Sequence, residues 1–197
     1  CHREFGECRA MLAGAGLLLE AFELLESSAA RLGLDPGERE ETVASVAAAV
    51  GGGGVVGGQV VDLESEKKQV DGRTLEYIHS HKTGALIRVS CTLGARLARA
   101  DRRTLEALAA YGEKIGYAFQ IVDDLLDELG DSRDLGKEVG MDKARGKATF
   151  PAVYGVSESR RLAALAVEGA KEALAGSALE KDPVLAGIAG FILARQA

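Results

Sequence analysis

The chain has 197 residues, of which 47% are hydrophobic, and its 30 acidic side chains outnumber 24 Lys and Arg for a net charge of -6. That length supports one sizeable core and is short for two comfortable domains. The hydrophobic share excludes a disordered chain, and the acidic balance argues against a surface that binds nucleic acid by neutralising phosphates. Ala, Leu, Glu and Arg dominate and strand-like alternation is absent, so the expected fold is all-α. Helices are expected at 4–31, 38–51, 54–64, 73–99, 102–130, 148–154, 157–175 and 182–196. Asp35-Pro36-Gly37 reads as a turn, and Asp71-Gly72 and 131–147 as loops.

Two segments invite other readings. Val43 to Val61 carries no charge and is long enough to span a bilayer, but it is rich in Gly and Ala and contains Gln59, so no membrane span is expected. The glycine run Gly51 to Gly54 lacks the Gly-Lys-Ser/Thr and the preceding strand of a phosphate loop, and reads as a helix break with close helix packing. Three cysteines, Cys1, Cys8 and Cys91, form no Cys-x-x-Cys pair, and an odd number suits a reducing compartment, so the expected location is cytoplasmic.

Chemistry concentrates in Phe119 to Pro151, FQIVDDLLDELGDSRDLGKEVGMDKARGKATFP. With Asp123 set at zero on a helix advancing about 100° per residue, Asp127 falls at about 40°, Gln120 at about 60° and Asp124 at about 100°. Ile121, Val122, Leu125, Leu126 and Leu129 cover most of the rest. A narrow acidic strip on an apolar cylinder suits a buried helix whose acids face an internal cleft. Carboxylates at this density repel one another, and hard oxygen donors suit Mg²⁺ completed by substrate phosphates. An acidic solvated strip remains the plain alternative, and Asp-Asp-x-x-Asp alone is a weak motif.

The lysines shift that balance. Leu75, Ile78, Leu86, Val89 and Leu93 make an apolar stripe on the 73–99 helix, and Lys82 sits within it, beside the Thr83 hydroxyl. A lysine there is costly unless it snorkels or meets an anion. Lys137 and Lys147 flank the glycine-containing loop after the acidic helix. Acids and lysines together describe a site for a metal-bound polyanion, diphosphate being the natural candidate.

These residues resemble a known family, the trans-isoprenyl diphosphate synthases. FQIVDDLLD resembles its second aspartate-rich motif, HKTGALI from His81 its Lys-Thr segment, and VVGGQVVDL from Val55 its Gly-Gln-x-x-Asp helix. LGKEVGMDKARGKATFP from Leu135 resembles its two-lysine loop, and HREFGECRAMLAGAGLLLEAFELL from His2 the helix after its first aspartate-rich motif. The resemblance covers nearly the whole chain in order. It implies an isoprenoid synthase-type helical bundle around a central cavity, residues 1–197 forming a single domain, and a homodimer. It implies a Mg²⁺-dependent prenyltransferase that joins an allylic diphosphate to isopentenyl diphosphate. Asp123, Asp124 and Asp127 would hold Mg²⁺. Lys82, Lys137 and Lys147 would bind the allylic diphosphate with Thr83 and Gln120 assisting, and Lys82, Asp123 and Asp124 would be catalytic. Gln59 and Asp62 would line the cavity. The first aspartate-rich motif and the usual isopentenyl-diphosphate ligands would lie upstream of Cys1, Gly14-Ala15 stands where the family usually has Gly-Asp, and His2 is read as structural. The competing reading is a non-catalytic subunit or truncated regulator of a heteromeric synthase. The intact DDLLD and lysine loop argue against it.

Overall fold

Local capping chemistry sets several helix ends. The computed structural model describes residues 1–129 and 147–195, and no strand occurs among the described residues. The helices are α1 His2–Phe5, α2 Glu7–Arg31, α3 Pro36–Val50, α4 Val55–Ser65, α5 Gly72–His79, α6 Ala85–Leu97, α7 Arg102–Leu129, α8 Phe150–Tyr154, α9 Val156–Ala173 and α10 Pro183–Ala194. The chain divides into two compact units, Cys1–Ser45 and Val46–Ala197.

In the first unit, the helix expected at 4–31 is divided at Gly6, whose φ of 84° breaks the helical path. α2 closes in a Schellman motif: the Leu34 amide donates to the Ala29 carbonyl at 3.1 Å and the Gly33 amide to Ala30 at 3.0 Å. α3 then opens with a reciprocal capping box. The Glu38 amide donates to Asp35 Oδ1 at 2.9 Å and the Asp35 amide to Glu38 Oε2 at 2.8 Å. Ala29, Leu34 and Thr42 are buried, but Met11, Leu12, Leu17 and Leu19 of α2 are exposed.

The second unit is built on α7. Its apolar face buries Leu108, Tyr111, Ile115, Ala118, Ile121, Val122 and Leu125. α9 lays Ala163, Val167 and Ala170 into the same core, and α10 adds Ala189 and Ile192. The buried Tyr111 hydroxyl donates to the Leu185 carbonyl at 2.7 Å, which anchors α10. On the other flank α6 comes very close to α7. A Cβ on Gly116 would sit 2.9 Å from the Gly84 Cα, so only glycine permits the approach. Asp71, Thr149 and Asp182 cap α5, α8 and α10 through their side-chain oxygens.

The helix expected at 73–99 contains a feature that a regular period cannot express. Ser80–Gly84 form a π-helical turn between α5 and α6. Of the stripe expected beyond it, Leu86 is 45% exposed while Val89 is buried, and Ile87 packs against the core. Pro36–Ser65 is long and apolar enough by composition to cross a membrane. The 51–54 turn divides it, however, into α3 of 15 and α4 of 11 residues. A span needs about 20.

Candidate functional site

The π turn aims Lys82 into a cavity of about 180 Å³ lined by Asp62, Ile78, His79, Lys82, Thr83, Gln120, Asp123, Asp124, Lys147 and Ala148. α4 reaches it because Gly58 has no side chain, since a Cβ there would collide with the Lys82 backbone. Asp62 of α4 then meets Lys82, Oδ2 to Nζ, at 2.7 Å. Both groups are largely buried, which strengthens their attraction, and each offsets part of the other's desolvation.

The cavity thus gathers three carboxylates, two lysines, an amide and a hydroxyl around the walls of Ile78 and Ala148. Six of the expected site residues, Lys82, Thr83, Gln120, Asp123, Asp124 and Lys147, line it, as does Asp62. Lys137 lies outside the described residues. Gln59 and Asp127 are not among the lining residues. Asp127 shares the strip's angular face but lies about 6 Å further along the axis. It is 7% exposed and engaged within the fold. Asp123 and Asp124 thus share the cavity, with Asp127 one turn along the same helix face; among the described residues no group of three His, Cys, Asp or Glu is already gathered as a metal site.

Asp123 and Asp124 differ in setting. The Asp123 carboxylate is more open and lies 3.9 Å from Arg195 at the end of α10. Asp124 is 6% exposed, and its Oδ2 accepts the Phe150 amide at 2.8 Å. Behind it stands His79, with Nδ1 2.7 Å from Gln120 Oε1 and Nε2 3.3 Å from Asp124 Oδ2. His79 stacks on Phe150 at 5.2 Å between centroids, and Tyr117 meets Phe150 edge-on at 5.3 Å. Burial, with Glu76 nearby, pushes the Tyr117 hydroxyl up to about 12, so it stays protonated. The motifs do not point to His79 or the Phe150 amide. A signal for His79 is present all the same, because it follows Leu75 by four residues on the buried face of α5.

A larger groove of about 850 Å³, lined by Arg73, Glu76, Tyr77, His81, Lys114 and Leu165 among others, shares no lining residue with this cavity. It holds none of the acidic strip, so the smaller cavity is the site where charge and hydrogen-bonding groups converge.

The oxygen-rich donors and paired lysines fit a small hard cation with a polyanion. Mg²⁺ is commonly held by one or two carboxylates and completed by phosphate oxygens, so two aspartates suffice.

The polyprenyl synthetase family model matches residues 1–179. The chain is 41% identical to farnesyl diphosphate synthase of Escherichia coli, over 99% of this chain and 66% of that protein. Its fold matches an FPP/GFPP synthase from Zymomonas mobilis with a TM-score of 0.79 at 34% identity, over 97% of this chain and 63% of the other. It also matches a geranyltransferase from Helicobacter pylori, solved with magnesium and isoprenyl diphosphate, with a TM-score of 0.79 at 27% identity over 98% and 62%. The chain therefore spans somewhat less than two thirds of each of these relatives, and with the family model covering most of its length, it belongs to the polyprenyl synthetase family.

Proposed function

We propose that this chain carries the diphosphate-handling part of a Mg²⁺-dependent prenyltransferase that joins an allylic diphosphate to isopentenyl diphosphate. The observation that carries this reading is the convergence of Lys82, Lys147, Asp123 and Asp124 on one cavity. Lys82 and Lys147 bind the diphosphate oxygens, and Thr83 and Gln120 add hydrogen bonds. Asp62 keeps the Lys82 ammonium extended toward the cavity. Lys137 is a further candidate for the same anion, implied by the family's two-lysine loop. Asp123 and Asp124 are the residues that would hold Mg²⁺, with Asp127 one turn beyond them. When bound, Mg²⁺ neutralises charge developing on the departing diphosphate. Ile78 and Ala148 restrict water beside the reacting end.

A second copy of the chain is the expected partner, supported by the exposed Met11, Leu12, Leu17 and Leu19 of α2. The free thiols of Cys1, Cys8 and Cys91 accord with a cytoplasmic setting. The test is transfer of radiolabel from isopentenyl diphosphate to an extractable longer prenyl diphosphate, in the presence of Mg²⁺ and dimethylallyl diphosphate, by a protein that joins this chain to the family's first aspartate-rich region. Product is expected, and Asp123→Ala should lower the rate about 100-fold, as when a group stabilising transition-state charge is removed. Absence of product despite Mg²⁺-dependent diphosphate binding would favour the non-catalytic subunit reading.

A further inference from the structure

His79 is not needed to explain either a metal site or a diphosphate site, yet it is buried at their junction. It is 7% exposed, and its Nε2 lies 3.3 Å from Asp124 Oδ2 without hydrogen-bond alignment. A buried ring nitrogen in that state requires a physical reason. Asp124 Oδ2 is already committed to the Phe150 amide, so His79 approaches an oxygen that is shared. A carboxylate offers only acceptors, so the contact is favourable only if Nε2 carries the hydrogen. On the other side of the ring, Gln120 can turn either end of its amide to Nδ1, 2.7 Å away. The Phe150 ring below restricts tilting of the imidazole.

We propose that His79 is a positioning residue for Asp124: its Nε2–H and the Phe150 amide together hold Oδ2, which leaves Oδ1 for the cavity and ties the acidic strip of α7 to the start of α8. This rests on the reading of the cavity as a metal–diphosphate site. His79 acts through Asp124 and Gln120, two lining residues from one helix face, and so sets the direction of both at once. Residues behind metal ligands commonly fix ligand orientation in this way, and their loss costs about 10- to 100-fold in metal affinity.

Calorimetric titration of Mg²⁺ with inorganic diphosphate into wild type, H79F, H79Q and D123N separates the possibilities. H79F keeps a ring on Phe150 but removes the donor, and should weaken binding about 10-fold or more. H79Q places an amide N–H near the lost Nε2–H and should recover most of that loss. Amide exchange at Phe150 should quicken in H79F and return toward wild type in H79Q. Folded H79F that binds as tightly as wild type overturns the proposal, as does H79Q that loses as much as H79F. If D123N weakens binding and H79F does not, only the role of His79 falls. If D123N also binds as wild type, the metal–diphosphate reading fails and the proposal falls with it. Nitrogen-15 imidazole shifts of the wild-type chain give a test that no variant's folding can obscure: His79 with a bare Nε2 overturns the assignment.

Discussion

α2 and α7 are nearly equal in length, at 25 and 28 residues, and both are rich in apolar side chains, yet they are used in opposite ways. α2 buries only Ala29, whereas α7 buries twelve residues, among them two aspartates. Apolar content alone therefore does not decide burial. Glycine at 112 and 116 lets a neighbouring backbone reach α7, and once that backbone is close, even Asp124 and Asp127 are enclosed. Gly14 and Gly16 of α2 face open space, so the same residue type there carries helix cost without contact. The acids that matter chemically lie on the helix whose surroundings are closely packed, where a carboxylate's direction can be held.

The sharpest way to break this contrast is to truncate an apolar side chain in each region. Phe150 is fully buried against α7 and supports His79 and Tyr117. Phe150→Ala should cost about 3–5 kcal/mol in urea unfolding. At dilutions where the chain is monomeric, Leu17→Ala on exposed α2 should change stability by about 0.5 kcal/mol or less. Equal losses at higher concentration would show that α2 is covered in solution, as self-association requires.

Adding a methyl group should give effects of opposite sign. In Gly116→Ala the new Cβ meets the Gly84 backbone at 2.9 Å, which cannot yield as a flexible side chain would. A loss of about 1–3 kcal/mol is expected. Gly14→Ala meets nothing and should gain about 0.5–1 kcal/mol from helix propensity. Thermal melts of the two variants suffice. The same sign in both would mean that α2 packs as tightly as α7.

The smallest effect concerns the first unit's own order. Asp35→Ala removes one half of the capping box at α3 and should cost about 1 kcal/mol. Helicity of α3, followed by amide exchange at Glu38, should fall with little change at Phe150. Equal loosening at both positions would show that the first unit has no local stability of its own.

Much of the fold is legible in the sequence because its signals are local. Asp35, Asp71 and Asp182 cap α3, α5 and α10 through short-range hydrogen bonds, close to where a turn, a loop and a helix start are expected, although α3 already begins at Pro36. The acidic strip needs only helical spacing. Leu86 reads as a core residue because the π turn at 80–84, just before it, does not interrupt the apolar pattern. His79 escapes a motif-based reading because its partner Gln120 is 41 residues away.

From sequence alone, the helical class and the acidic strip follow from residues near one another along the chain, and the answering lysines and the family from short motifs matched in order. Tertiary structure decided which of those charges share a space. Lys82 meets Asp62 only because Gly58 admits α4 to the π turn, and Asp124 Oδ2 meets the Phe150 amide and His79 only because other elements bring them to it. A side chain's direction is set by the groups packed around it, and those neighbours are brought together only when the helices close.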